Sequence, residues 1–257
     1  MSDKHVLDRR SIPTIQIHDT PDEVASAAAE QVQRQLKRRA DSVFALPTGQ
    51  TPLSLYAELA RRCRDGELSF SEARTFNLDE FVHIPPDSPL SFESYMVHHL
   101  FSHIDIDLTK ARLPNGNAPD LHAECREYER AIAATGGIDL AIVGIGRNGH
   151  LAFNEPGTSF TSRTHVVQLS PTSREAFASE FGGIDRVPKL GITVGLGTIL
   201  EARRIILLAL GPDKAAIIAR ALQGPITVDV PATILQQHPN VLVILDRSAA
   251  SRLHLAS

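Results

Sequence analysis

The sequence has 257 residues, 42% of them hydrophobic and 22% charged, with a formal net charge of −4. That length fits one large α/β domain, the composition excludes global disorder, and the mild negative charge excludes an electrostatic footprint for nucleic acid. An anionic substrate therefore has to be held by a local cluster of donors.

The chain opens MSDKHVLDRRSIPTIQIHD, without the apolar region of an export signal, and no stretch approaches a membrane span. The expected compartment is the cytoplasm. Residues 14–19 read as a strand, and 21–39 as an amphipathic helix with Pro21 at its start. A second strand covers 42–47, followed by a helix over 51–66 that Gly66 ends. Residues 73–79 form a third strand, and 91–104 and 118–134 read as helices. The run 138–146 is continuously apolar, the mark of a strand covered on both faces, and 189–195, 203–211 and 240–246 repeat that character. A helix over 212–224 falls between the last two strands.

Strand–helix alternation of this kind predicts an α/β fold of three layers, a largely parallel sheet with helices on both faces. No internal repeat or flexible linker divides the chain, so 1–257 is expected to be one domain. The least regular stretch, 155–188, reads either as an ordinary loop or as a lid over a site. Cys63 and Cys125 stand far apart and outside any CxxC pattern, which favours two idle thiols over a disulfide-stapled fold.

In open parallel sheets, ligands bind where loops leave the carboxyl ends of strands, and four such loops here carry reactive groups. The first, LPTGQTP at 46–52, offers Thr48, Gly49, Gln50 and Thr51 ahead of a helix start, either an anion cradle or a plain strand–turn–helix connection. The second, at 76–85, carries the adjacent acids Asp79 and Glu80. On a turn these point in different directions, so at most one faces a site. The third, GIGRNGHLAFNEPGTSF at 144–160, crowds glycines at a strand exit and brings Asn148, His150 and Glu155 close in sequence. An imidazole with a carboxylate to orient it is a standard proton-transfer pair. The fourth places Lys214 in the first turn of a helix, where the dipole disfavours a cation unless an anion joins it. Arg174, in SPTSREAF, can bring a planar fork suited to phosphate, or can simply be an exposed helix residue. His98, His99 and His103 cluster on one predicted helix without acidic or Cys partners. They are expected to be partly exposed histidines, with no metal bound.

LPTGQTP, FNLDEFV, LPNGNAPD, GIGRNGHLAFNEPGTSFTSRTHVV, ITVGLGTIL and LGPDK together resemble the glucosamine-6-phosphate deaminase family in order and spacing, over residues 14–250. The ordered set, above all GHLAFNEP, is highly specific. The resemblance implies a Rossmann-like sheet, shared with sugar-phosphate isomerases and lactonases. It also implies isomerisation with hydrolytic deamination of glucosamine 6-phosphate to fructose 6-phosphate and ammonia, with no cofactor. Carried over residue by residue, Asp79 resembles the base that moves a proton between C2 and C1. His150 resembles the group that opens the pyranose ring, supported by Glu155 and Asn148. Lys214, Arg174 and the loop of Thr48, Gly49, Gln50 and Thr51 resemble the phosphate and hydroxyl ligands.

The chain departs from the family pattern in places. Many members carry Asp where Asn148 stands, and a smaller residue where Gln50 stands. Members that form allosterically activated hexamers place basic side chains after the SRT segment, where this chain reads His165, Val166 and Val167, and they extend further at the C-terminus. The expectation is a homo-oligomer at most, not an activated hexamer. The competing readings are a 6-phosphogluconolactonase-like hydrolase, which Asp79 and Glu155 in their motifs disfavour, and a non-catalytic sugar-phosphate sensor, which has no need of the acid–base set.

Overall fold

Side chains alternate across each apolar strand, and this alternation gives the molecule two cores. A computed structural model describes residues 13–85 and 87–254. The absence of an export signal was read largely from residues 1–12, which lie outside the described residues. The strands in chain order are β1 (Thr14–His18), β2 (Val43–Leu46), β3 (Arg74–Asn77), β4 (Asp79–Phe81), β5 (Ala111–Arg112), β6 (Leu140–Gly144), β7 (His165–Gln168), β8 (Leu190–Thr193), β9 (Ile205–Ala209) and β10 (Val241–Asp246). The helices are α1 (Pro21–Arg38), α2 (Leu53–Arg64), α3 (Phe92–His99), α4 (Leu121–Ala134), α5 (Pro171–Phe177), α6 (Leu196–Leu200), α7 (Ala215–Gln223) and α8 (Arg247–Ala250).

Seven strands form a parallel sheet in the order β1-β10-β9-β6-β2-β3-β5. On one face Phe44, Ile142, Leu208 and Ile244 pack against Val32 of α1 and Leu55 and Leu59 of α2. On the other, Ala45, Val143, Leu207 and Val243 pack against Ile132 of α4, Ile218 of α7 and Ala249 of α8. This is the three-layer α/β architecture that the alternation of strands and helices predicts. The helix α1 starts cleanly because Thr20 and Glu23 form a reciprocal capping box ahead of Pro21.

The strand order reverses between β6 and β2, with β3 and β5 continuing on one side and β9 and β10 on the other. A crevice opens at such a switch point, outside the carboxyl ends of the strands. The four adjacent strands β9, β6, β2 and β3 are those that lead into the Lys214, His150, Thr48 and Asp79 segments.

Two sequence expectations need correction. Residues 73–79 do not make one strand: β3 ends at Asn77, and Asp79 begins β4 in a separate antiparallel sheet of order β4-β8-β7. Leu78 is the crossing point, its N–H donating to Leu46 O (3.1 Å) and its carbonyl accepting from Val194 N (2.7 Å). The segment 189–195 likewise belongs to the small sheet, as β8, and not to the parallel one. An apolar run reports burial on both faces; it does not report strand direction.

Residues 155–188 form neither a bare loop nor a single helix. They hold β7, α5 and a short 3-10 turn at Ile184–Arg186. Leu169, Phe181 and Val187 are buried in an aromatic cluster with Phe81, Phe92 and Phe153, and Phe177 packs against it. The Phe81 ring lies 5.1 Å from Phe177 and 5.4 Å from Phe181, centroid to centroid. Aromatic pairs contribute about 0.5–1.5 kcal/mol each beyond area burial, so the segment is pinned over β4 by its own side chains.

Candidate active site

Asp79 and Glu80 are both buried, and their environments divide their roles. Glu80 accepts three backbone N–H groups, from Phe81 (2.8 Å), Phe92 (3.0 Å) and Glu93 (3.0 Å), and so fastens β4 to the start of α3. Burial raises its pKa to about 7, with those three donors opposing the shift. Asp79 Oδ1 is buried without a hydrogen-bond partner. Burial and then the neighbouring Glu80 charge push the Asp79 carboxyl up to about 8. A buried polar atom left unpaired costs folding free energy, and of the two acids Asp79 is the one whose carboxyl the fold does not use as a fastener.

The turn 146–155 brings Asn148, His150 and Glu155 together. Gly146 N donates to His150 O (3.0 Å), Gly149 adopts φ +89°, and Ala152 adopts φ +52°, a strained value for a residue with a side chain. A Cβ on Gly149 would fall 2.6 Å from Val230, so the residue must be glycine on both counts. Glu155 Oε2 accepts from Asn148 Nδ2 (2.7 Å), and Glu155 Oε1 accepts from Ser170 N (3.0 Å). Burial pushes the Glu155 pKa up, but interactions with His150, the Ser173 hydroxyl and the Ser170 N–H outweigh it and bring the carboxyl to about 2. The Asn148 amide donates to Glu155 and Ser170 and not to the imidazole. Its Oδ1 accepts the His150 backbone N–H (3.2 Å), so it braces the turn and the carboxylate.

The two halves meet at the end of β8. Asp79 pairs with Thr193, whose Oγ1 accepts from Phe153 N (3.1 Å). Val194 N donates to Leu78 O, while Val194 O accepts from Asn154 Nδ2 (2.8 Å). The strand that carries Asp79 and the histidine turn are thus tied to one short piece of backbone.

The remaining site residues surround this pair. Lys214 is half-buried in the 3-10 turn before α7, its Nζ donating to Ile145 O (2.7 Å) at the root of the histidine turn. Burial and the nearby Arg147 charge lower its pKa, with Asp213 opposing. Thr48, Gly49, Gln50 and Thr51 leave β2, with Gly49 at φ +92°. Gln50 Nε2 donates to Glu180 Oε1 (3.1 Å), joining this loop to the segment around α5. Arg174 is held by its own segment: its Nε and Nη2 donate to the carbonyls of Val187 (3.3 Å) and Ile184 (2.5 Å), which leaves its other N–H groups without a partner in that segment. A cavity of about 1010 Å³ opens beside the loop, lined by Gly49, Gln50, Tyr95, Phe177 and Glu180 among others; neither Asp79 nor His150 lines it. Its walls carry a different titratable set, including Glu93, His98, His99 and Glu180. His99 packs on Tyr95, and His103 Nε2 lies 3.0 Å from His98 O, so these histidines make helix-local contacts.

The family model for glucosamine-6-phosphate isomerases/6-phosphogluconolactonase matches residues 15–244. The chain belongs to that family. Within it, the chain is 48% identical over 230 residues to a glucosamine-6-phosphate deaminase of Geobacillus sp. (strain WCH70), covering 90% of this chain and 92% of the relative. It is 45% identical over 230 residues to one of Thermoanaerobacter pseudethanolicus (strain ATCC 33223 / 39E), covering 90% and 91%. A solved structure described as a monomeric glucosamine-6-phosphate deaminase matches with a TM-score of 0.91 at 44% identity, over 93% of this chain and 100% of that one. A 6-phosphogluconolactonase from Trypanosoma brucei matches with a TM-score of 0.77 at 22% identity, over 96% of this chain and 100% of that one, which shows a shared fold alone.

Sequence reasoning missed several residues that contact the candidate site segments. The three tyrosines of the sequence each donate a hydroxyl to a carbonyl in a site segment: Tyr56 to Pro47 (2.5 Å), Tyr95 to Gly49 (2.6 Å) and Tyr128 to Asn77 (2.8 Å). Ser173 was also missed, and its Oγ lies 3.1 Å from His150 Nδ1. The one available signal was that SPTS sets a helix N-cap (Ser170) three residues ahead of another serine.

Proposed function

We propose that this chain is a glucosamine-6-phosphate deaminase, converting glucosamine 6-phosphate and water into fructose 6-phosphate and ammonia. The observation that carries the reading is the unpartnered buried carboxyl of Asp79 tied through Thr193 and Val194 to the His150–Glu155 turn at the sheet's switch point. Relatives at 45–48% identity over nine-tenths of the chain carry that activity in their names.

The residues support a sequence of proton transfers. His150 takes the proton of the C1 hydroxyl and returns one to the ring oxygen, which opens the pyranose. Asp79 takes the proton from C2 of the open aldose and delivers it to C1, while a proton passes from the C2 ammonium to the C1 oxygen, leaving the C1 alcohol and an iminium at C2. Water adds to C2, ammonia leaves, and the C2 carbonyl of fructose 6-phosphate remains. Lys214, Arg174 and the Thr48–Thr51 loop bind the phosphate and hydroxyls. General acid–base catalysis contributes typically about 10²–10⁴-fold, so positioning by the phosphate ligands supplies much of the rest.

We take the chain as one unit acting on a small amino-sugar phosphate. The described residues contain no helix long and apolar enough to cross a membrane. A phosphorylated intracellular substrate makes the cytoplasm the proposed compartment. The description of one relative as monomeric supports a chain that does not need partners for its site. The test is a paired assay of ammonia release from glucosamine 6-phosphate and hydrolysis of 6-phosphogluconolactone. The reading expects the first activity in large excess, and lactone hydrolysis without ammonia release would replace it with the hydrolase reading.

A further inference from the structure

We infer that four arginines at the amino end of the parallel sheet form a second anion site, which binds a small phosphate-bearing ligand away from the candidate active site. Arg203 and Arg204 lead into β9, Asn240 leads into β10, and Arg34 and Arg38 stand on the last two turns of α1. With Gln35, these side chains line a cavity of about 450 Å³, a size suited to a small ligand. Among the described residues no acid lines it. β9 is five residues long, so at ~3.3 Å per residue on the order of 16 Å of strand separates the pocket from the segment that carries Lys214.

Neutral groups hold the two guanidinium forks that matter most. Arg204 Nη2 donates to Gln31 Oε1 (2.7 Å), and Arg38 Nη2 donates to Gln35 Oε1 (3.3 Å). Gln31 and Gln35 are themselves buried, on the face of α1 that also buries Val24, Ala28, Val32 and Leu36. Apolar side chains ordinarily fill such positions of an amphipathic helix. Gln35 Nε2 donates to Ser42 Oγ (2.8 Å), which fixes the amide with its oxygen toward Arg38. An amide oxygen orients a guanidinium without cancelling its charge.

The charge is in fact left uncancelled. Arg34 pairs with Glu30 (2.5 Å) and Arg203 with Asp139 (3.1 Å), whereas among the described residues Arg38 and Arg204 form no ion pair. Arg204 is half-buried, and burial followed by the Arg34 and Arg38 charges lowers its pKa. Like charges gathered around a half-buried cation repel one another, and a bound anion offsets that repulsion. The dipole of α1 favours Arg38 in the helix's last turn, but it does not explain a second unpaired arginine brought in from β9. Two unpaired planar forks can each take a pair of anionic oxygens, the geometry that phosphate offers. A single carboxylate would satisfy only one of them, so the ligand is a multiply charged phosphate, either inorganic or carried on a small organic molecule.

The test is a titration with inorganic pyrophosphate, and separately with fructose 1,6-bisphosphate, followed by ¹H–¹⁵N NMR of the arginine side chains. Each signal is assigned by its loss in one variant. The Arg38 and Arg204 signals should move together and saturate, and sodium chloride at equal ionic strength should not move them. The tighter of the two probes tells an inorganic ligand from an organic one. Arg38→Gln, at an exposed position, should weaken the binding read at Arg204 roughly tenfold or more, as expected for one hydrogen bond to a charged group. Arg204→Lys keeps the charge and loses the fork, and should weaken the response at Arg38 in the same way. Lys214→Ala should leave both curves unchanged, because its phosphate contact belongs to the other end of the sheet. Signals that drift without saturating, or that chloride moves equally, overturn the proposal and leave the arginines as a solvated basic face. Tighter binding of a poly-glutamate peptide than of either phosphate would also overturn it, and would make this end of the sheet a protein-docking surface.

Discussion

A methyl group placed on Gly146 would lie 2.2 Å from Cε1 and Nε2 of the His150 ring. The imidazole is stacked on bare backbone, and the glycine is there for the ring and not for a turn angle. Gly146→Ala should therefore leave the backbone in place and displace the side chain. The expected outcome is a loss of kcat of about 10²-fold or more with little change in Tm, since misplacement of a catalytic group by about 1 Å costs on that order. Steady-state kinetics beside thermal unfolding measure both. A large fall in Tm would mean the glycine serves the fold.

Lys214 and Arg174 are both candidate phosphate ligands, yet they sit in different mechanical settings. Lys214 Nζ is anchored to the carbonyl of Ile145, on the rigid exit of β6. Arg174 is anchored to the carbonyls of Ile184 and Val187, within the segment it belongs to. Lys214→Ala should raise KM roughly tenfold or more, as expected for one charge-assisted hydrogen bond worth ~1.5–3 kcal/mol, without altering the local fold. Arg174→Ala should raise KM and also make residues 177–187 more susceptible to limited proteolysis. Unchanged kcat/KM in both variants would remove them from the site.

Much of this arrangement was legible in the sequence because continuous apolar runs and glycine-rich strand exits are written locally. The runs at 138–146, 203–211 and 240–246 became β6, β9 and β10, and the reactive loops were found because they follow such runs. What was not legible depends on partners distant in the chain. The break at Leu78 is invisible in ARTFNLDEF, which reads as one extended segment, because the switch is made by hydrogen bonds to Leu46 and Val194. The strand β7, HVVQ, has too few residues to show alternation. The residues by themselves left Asp79 and Glu80 undecided and only the resemblance favoured Asp79; the structure separates them by the N–H groups of Phe81, Phe92 and Glu93 that Glu80 accepts. Ser173 had no signal of its own, since a serine near a helix start is ordinary.

Activation by an effector can be checked without mutagenesis. The family resemblance implies basic side chains, in members activated by N-acetylglucosamine 6-phosphate, where this chain has His165 and Val167, on β7. His165 Nδ1 lies 2.8 Å from the carbonyl oxygen of Arg163, so the ring is engaged by its own segment. The rate of ammonia release should follow simple saturation, with no change in its shape when the acetylated sugar phosphate is added. A sigmoidal curve that the effector renders hyperbolic would reveal a binding site elsewhere.

Asp79 offers the sharpest test, because its burial makes opposite demands on stability and on catalysis. Its folded pKa of about 8 stands above the usual 3.8, so the folded state binds the proton more tightly than the unfolded one. Where the folded state holds more protons, stability falls as pH rises. The Asp79 contribution therefore falls from about pH 4 through about pH 8 and is flat above. Asp79→Asn keeps the shape and removes the ionisation. The variant should match the original chain in Tm near pH 4 and exceed it increasingly up to about pH 8. An amide cannot take the C2 proton, so isomerisation should fall by about 10²–10⁴-fold, the usual weight of a general base. Solvent hydrogen exchange at C1 of fructose 6-phosphate with ammonia present, followed by NMR, isolates that step from ring opening and product release. Exchange at the original rate in Asp79→Asn would assign the proton transfer to another group. A variant that gains stability at pH 8 and loses exchange would show that this carboxyl is held in a costly place for its chemistry.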